Sequence, residues 1–223
     1  MCFKIMKWGL NMQKNDLATE LRNSLLRLTN INDCFLLYKK LLTYQNEMNS
    51  EMNIAPAFFQ MVMYSLEHTY IIDLFKFYDR DRNSKGLRKA INLCEQHSAL
   101  FPKERIIGKD IKTNKDKIVK INVIKDIREA REKLTNIEPV VDYLKGRRDS
   151  YYAHTDKNYI DDIPKLSSDY PLSYKQIADL IHLANNILNT LLQDLCGEVV
   201  AQRSTNYDDV TKLFSILKAH QNN

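Results

Sequence analysis

Residues 145–157 read Lys-Gly-Arg-Arg-Asp-Ser-Tyr-Tyr-Ala-His-Thr-Asp-Lys. Two arginines (Arg147, Arg148), two carboxylates (Asp149, Asp156), two tyrosines (Tyr151, Tyr152) and His154 fall within ten residues. This inventory suits phosphodiester chemistry. An arginine can hold a phosphate through two parallel hydrogen bonds and stabilise the extra charge of a pentacovalent transition state. A histidine titrates near neutrality and can move a proton to or from a ribose hydroxyl or a leaving oxygen. No metal is required when the nucleophile is the RNA's own 2′-hydroxyl.

Spacing narrows the roles without assigning them. On an ideal helix each residue turns about 100°, so Arg147 and His154 nearly eclipse, with Tyr151 between them. Arg148 and His154 then face different sides, and Asp149 lines up with Tyr152, Ala153 and Asp156. Three arrangements remain. Arg147 is the working arginine, or Arg148 acts from a helix end made irregular by Gly146, or two chains share a site and each supplies a different face.

Other chemistry is poorly represented. The sequence has no glycine-rich nucleotide fingerprint, Walker lysine, nucleophile elbow, His-Glu-x-x-His or calcium loop. His68 and His182 lie in apolar helical stretches and read as partly buried structural residues, whereas His97 and His220 lie near helix ends. Cys2, Cys34, Cys94 and Cys196 have no paired spacing, as expected of reduced thiols. The reading expects no metal site and no cofactor.

The elements that must position the cluster read as helical. Gly 5 and Pro 5 in 223 residues is under half the usual share of about 12% for the pair. No Asn-Gly or Asp-Gly pair marks a tight hairpin, so a sandwich, barrel or propeller is disfavoured. Asp16 is the expected cap of a first helix carrying Leu17, Leu21, Leu25 and Leu28. Asn30 and Asn32 are expected to interrupt it before a second helix with Phe35, Leu36, Tyr38, Leu41 and Leu42. Pro56 suits the first turn of a third helix running to Tyr78, apolar nearly all round and so central or buried in an oligomer interface. Ser84 is the expected cap of a helix through Leu87, Ala90, Ile91 and Cys94. Helical signals resume near Val119 and stop before Pro139, and a short helix over 140–144 leads into Gly146. Pro164 and Pro171 bracket a polar connection. The clearest stripe runs from Tyr174 through Ile177, Leu180, Ile181, Ala184, Ile187, Leu188, Leu191, Leu192 and Leu195, ended by Gly197. A last short helix is expected to be capped near Asn206 or Asp208. The expectation is one helical domain over 1–223, with 1–12 either disordered or ahead of the true start.

Charge is uneven. The chain carries +5 overall, and residues 103–133 alone hold 11 basic and 6 acidic residues, also +5. Within this stretch, 103–118 reads as a flexible basic insertion, and Lys112, Lys115, Lys117 and Lys120 are its candidates for an RNA backbone. The longest uncharged run, 52–66, is interrupted by Asn53, Pro56 and Gln60 and is too short to span a bilayer. No secretory signal is evident, so a cytoplasmic location without membrane attachment is expected.

The string Arg148-Asp149-x-x-x-x-His154 resembles the Arg, polar residue, four residues, His pattern of the HEPN superfamily. The wider Arg-Asp-Ser-Tyr-Tyr-Ala-His-Thr-Asp, followed by Leu172-Ser173-Tyr174 and the leucine-rich helix, looks like the abortive-infection AbiU-type branch. So does the apolar helix ending in Phe77-Tyr78-Asp79 before a polar turn and Leu87. The resemblance implies an all-α HEPN-like bundle with peripheral extra helices, commonly a homodimer with the two Arg–His motifs facing across a composite cleft. It implies a metal-independent endoribonuclease of toxin or phage-defence type, with Arg148 on the phosphate, His154 as acid or base and Asp149 orienting the motif. The implied partners are RNA, a second copy, and an antitoxin or defence protein. The alternative is a catalytically silent HEPN module that binds RNA, nucleotide or a protein partner. A bundle with a chance Arg–His pair is the least favoured reading.

Overall fold

The computed structural model describes residues 12–81, 84–109, 116–153, 162–201 and 207–221. It opens with α1, Lys14–Glu47, a single helix of 34 residues. The expected break at Asn30 and Asn32 does not occur. Leu28, Ile31 and Phe35 keep the buried stripe in phase across it. Each such side chain contributes ~1.5–3 kcal/mol on burial. An asparagine costs under about 1 kcal/mol of helix propensity, so packing wins. Asp16 is not the cap either: Gln13 is, and the Asp16 carboxylate accepts from the Gln13 backbone N–H at 3.0 Å.

A short α2, Asn49–Met52, precedes α3, Pro56–Tyr78, with Pro56 in its first turn as expected. The two halves of α3 differ. Tyr70, Ile71, Leu74, Phe75, Phe77 and Tyr78 are buried, whereas Phe58, Met61 and Tyr64 stay exposed. Helix α4, Leu87–Gln96, starts at Gly86 rather than Ser84, whose hydroxyl donates to the Asp79 carbonyl at 3.3 Å. Gly86 runs so close to the Phe77 carbonyl that a Cβ there would collide with it.

The segment expected to be a flexible basic insertion contains an antiparallel pair, β1 Glu104–Lys109 and β2 Asp116–Lys120; residues 110–115 lie outside the described part. Glu104 pairs with Lys120, Arg105 with Val119 and Ile106 with Ile118, and the register shifts before Lys109. Gly108, at φ +136°, occupies that irregularity, where few L side chains could follow. The helical signal expected from Val119 therefore begins later. Asn122 caps α5, Val123–Asn136, its side chain accepting from the Lys125 N–H at 3.1 Å.

Helix α6, Glu138–Arg147, passes through Gly146 instead of ending before it. It continues as a π-helical turn, Arg148–Ala153. The polar connection bracketed by the prolines contains α7, Ile163–Asp169, capped by Asp162. Helix α8, Tyr174–Cys196, has the expected stripe, with all nine of Ile177, Leu180, Ile181, Ala184, Ile187, Leu188, Leu191, Leu192 and Leu195 buried. Ser173 caps its start, and Gly197 ends it in the left-handed conformation at φ 81°. Helix α9 is Tyr207–Gln221; the expected cap Asn206 lies outside the described residues.

Helix α1 packs on both α3 and α8, and the main core joins side chains from these three with α4, α5 and α6. A second cluster, Leu41, Tyr44, Met52, Phe59 and Phe214, fastens α9 across α1–α3. The fold is all-α apart from the strand pair, in agreement with the composition. Among the described residues no helix is long and apolar enough to cross a membrane.

Candidate active site

Gly146 begins the site. Its Cα faces the ring of Tyr170, and a Cβ at this position would enter that ring. The close approach brings the Tyr170 backbone to the end of α6, where its carbonyl accepts from Arg147 Nε at 2.8 Å. Arg147 is thereby turned toward the bundle. Its charge acts there on the Glu67 carboxyl and on the hydroxyls of Tyr38 and Tyr152.

Arg148 takes a different direction. Its guanidinium carbon lies 3.8 Å from the centroid of the Phe75 ring, a cation–π stack. Its Nε donates to Asp149 Oδ1 at 2.6 Å, and its terminal nitrogen closes on the same oxygen. The side chain keeps 24% of its surface exposed and Asp149 keeps 36%, so the pair is sheltered yet open to solvent. A guanidinium held over a ring and braced by one carboxylate oxygen retains N–H donors for an anion.

Tyr151 and Tyr152 follow, their rings 5.0 Å apart and nearly perpendicular. Tyr152 meets His68 of α3 edge-on at 6.0 Å, and His68 in turn meets Tyr64 at 6.0 Å. The Glu67 carboxyl acts on the Tyr152 hydroxyl. Burial pushes the Glu67 carboxyl above its ordinary range, while the Tyr152 hydroxyl and Arg147 pull it back. Burial first, then the nearby Glu67 charge, holds the Tyr152 hydroxyl protonated far above neutrality. Tyr38 lies buried beside this group, its hydroxyl 3.4 Å from that of the exposed Tyr174.

The ideal-helix angles behind the Arg147–Tyr151–His154 stripe do not apply over Arg148–Ala153. From Arg148 onward the turn is the wider i→i+5 kind, so regular α-helical angles no longer apply. Arg148, Asp149 and Tyr151 lie on this turn and Arg147 ends α6 just before it; His154 lies outside the described residues. So do Lys112 and Lys115, while Lys117 and Lys120 are exposed on β2. The strand pair stands far from the motif. Arg105 of β1 acts on Asp194 and lies against Gly197, at the end of α8, whereas Tyr170 and Tyr174 are at its start. At 1.5 Å per residue that separation is about 30 Å.

Two readings of histidines change or stand by position. His182 is exposed on α8 rather than partly buried, and His68 is half-buried beside the motif. Sequence reasoning placed Tyr152 in the cluster but missed Glu67, Phe75 and Tyr170 as neighbours of the arginines. The available signal was Glu67 itself, a carboxylate inside the apolar run of α3. Among the described residues no three His, Cys, Asp or Glu side chains gather as a metal site.

The family model described as HEPN_AbiU2 (AbiU2) matches residues 15–214, nearly the whole chain. Neither a curated protein nor a solved structure matches it.

Proposed function

Because the chain belongs to the AbiU2 family of HEPN domains, we propose that it is an endoribonuclease of abortive-infection type that cleaves RNA without a metal. The observation that carries this reading is the divergence of the two arginines. Arg147 is engaged by the Tyr170 carbonyl and faces Glu67, while Arg148 is held on Phe75 and Asp149 with donors to spare. Arg148 is thus the residue that meets the scissile phosphate, and Asp149 orients it. Tyr151 supports the same surface.

The chemistry follows from these groups. The RNA 2′-hydroxyl loses its proton to a base and attacks the adjacent phosphorus. The 2′-O–P bond forms, the P–O5′ bond breaks, and the departing 5′-oxygen takes a proton from an acid. His154 performs one of these two transfers, and Arg148 stabilises the extra negative charge in between. The products are a 2′,3′-cyclic phosphate and a 5′-hydroxyl.

The reading includes a homodimer. Ile54, Phe58, Met61 and Tyr64 follow one another at steps of four, three and three and are each 48–61% exposed. The next step of four reaches His68, against Tyr152. An uncovered apolar stripe that ends at the motif suits a second copy whose own motif completes the cleft. Lys117 and Lys120, with Lys112 and Lys115, guide the more distant RNA backbone. A protein antitoxin or defence partner is the remaining proposed contact, in the cytoplasm.

The deciding experiment incubates purified chain with RNA in EDTA and compares it with His154→Ala. Cleavage to cyclic phosphate ends, reduced ~10²–10⁴-fold by the substitution, supports the reading. Cleavage that needs a divalent ion, or survives His154→Ala undiminished, overturns it. RNA binding without any cleavage by the unaltered chain favours the silent binding module.

A further inference from the structure

Two groups hold the Arg148 side chain, and they differ in kind. Asp149 takes one edge: Nε donates to its Oδ1 at 2.6 Å, and Nη2 closes on the same oxygen. Phe75 takes the face: the guanidinium carbon lies 3.8 Å from the ring centroid. An aromatic face attracts a cation through its quadrupole, so this support uses up no hydrogen bond that a phosphate could accept. Among the described residues nothing else accepts from Arg148, which leaves both hydrogens of Nη1 and the second of Nη2.

The two supports are also fastened in different places. Asp149 is the next residue on the same π turn and moves with it. Phe75 belongs to α3, which packs along that turn, and its ring is buried in the main core. A ring enclosed by a close-packed core does not shift to follow a side chain above it. The place of the guanidinium relative to the bundle is therefore set at the ring. An aliphatic side chain at position 75 would still bury apolar surface, but it would offer the cation no negative face. A misplacement of 1 Å at a reacting group can cost about 10²-fold in rate, so the seat of this arginine has kinetic weight.

We propose that Phe75 is a positioning residue of the ribonuclease site: the π face of its ring seats the Arg148 guanidinium over α3 and leaves Nη1 free for the scissile phosphate. The proposal deepens the ribonuclease reading and rests on it for its kinetic consequence. Phe75 touches no reacting atom; it acts through Arg148.

The test uses the full chain with Phe75→Leu, and with Phe75 replaced site-specifically by 4-fluoro-, 3,5-difluoro- and 3,4,5-trifluorophenylalanine. These rings keep nearly the size of phenylalanine, while each fluorine draws electron density out of the π face. Two readouts are taken: RNA cleavage kinetics, and the NMR signals of the Arg148 side-chain protons, which the ring current of Phe75 shifts upfield. Arg148→Ala identifies those signals by their loss. Phe75→Leu is expected to lower kcat ~5–30-fold, the scale of one partly desolvated cation–π contact, while KM changes less than about 2-fold. Along the fluorinated series kcat should fall with each added fluorine, with no matching fall in Tm. In an Arg148→Ala background Phe75→Leu should have no further effect on kcat, because both remove one contact. The upfield shift should vanish in Phe75→Leu. Where Phe75→Leu does not fold, the fluorinated series carries the same comparison.

A kcat that is flat across the fluorinated series overturns the proposal. So does a loss in Phe75→Leu that persists in the Arg148→Ala background, or Arg148 protons that resonate at the same position with and without the ring. If the unaltered chain cleaves no RNA, the ribonuclease reading falls by itself, and the Arg148 signals alone decide whether Phe75 seats that side chain.

Discussion

The Nε of Arg147 donates to the carbonyl of Tyr170 across 2.8 Å, fastening the end of α6 to the approach of α8. Arg148, the next residue, lies on the far side of that anchor against Phe75. Adjacent arginines therefore have separate duties. Arg148→Ala should lower kcat ~10²–10³-fold, the scale of losing one charge-stabilising donor set, with little change in Tm. Arg147→Ala should lower Tm and cost less in kcat. Cleavage assays and thermal melts on both variants check this, and a larger kcat loss from Arg147→Ala would reverse the assignment.

Gly146→Ala sets two effects against each other. Alanine gains ~1 kcal/mol of helix propensity over glycine. The new Cβ, however, would enter the Tyr170 ring, and such overpacking costs ~1–3 kcal/mol. Moving that ring also disturbs the carbonyl that holds Arg147. The expected outcome is a lower Tm by differential scanning calorimetry; a Tm equal to or above that of the unaltered chain counts against the close packing.

Met61→Glu places a charge on the exposed stripe of α3 outside both core clusters, and Phe58→Glu does so at the cost of one ring contact with Phe59. Light scattering should find the unaltered chain as a dimer and each variant at the 26.2 kDa of one chain, with cleavage lost in parallel. An unaltered chain that stays at 26.2 kDa at micromolar concentration and still cleaves RNA would end the dimer reading.

Lys117→Gln and Lys120→Gln remove two exposed charges on β2, whose partner strand lies by the end of α8 away from the motif. For single-stranded RNA the salt dependence of binding should flatten by roughly 0.7 per lysine. Long RNAs should feel the change and short oligonucleotides should not, and the cleavage position should stay the same. Equal salt slopes in the double variant and the unaltered chain would remove the strand pair from the RNA path.

Asp194 gives a pH dependence with a defined sign. Burial, and then the charge of Asp126 and a hydrogen bond with it, raise its carboxyl from an ordinary 3.8 to about 6, although Arg105 draws it down. Between those values the folded chain keeps a proton that the unfolded chain has released. Stability from this group is therefore present at pH 4, falls as pH rises toward 6, and stays low above that. Asp194→Asn should raise Tm at pH 7.5 and leave it nearly unchanged at pH 4. An equal gap at both pH values would point to a cause other than this proton.

What the sequence determined was whatever depends on local repetition. The Arg148–His154 string was legible only by its resemblance to a family pattern, whereas the stripe of α8, the first-turn Pro56 and the terminating Gly197 can be read from spacing. Each follows from 3.6 residues per turn or from the conformational limits of one residue type. Where two local signals compete, spacing gives the wrong answer: Asn30 and Asn32 look like a break until Leu28, Ile31 and Phe35 find their partners. The strands at 104–109 and 116–120 were likewise hidden, because Ile106 and Ile118 support each other only once paired. The divided duty of the two arginines came from tertiary structure alone. Tyr170 is 23 residues from Arg147, and Glu67 and Phe75 belong to a helix more than 70 residues earlier. The direction of each arginine depends on where those distant groups pack and on the π turn they enclose, so no periodicity within 145–157 could specify it.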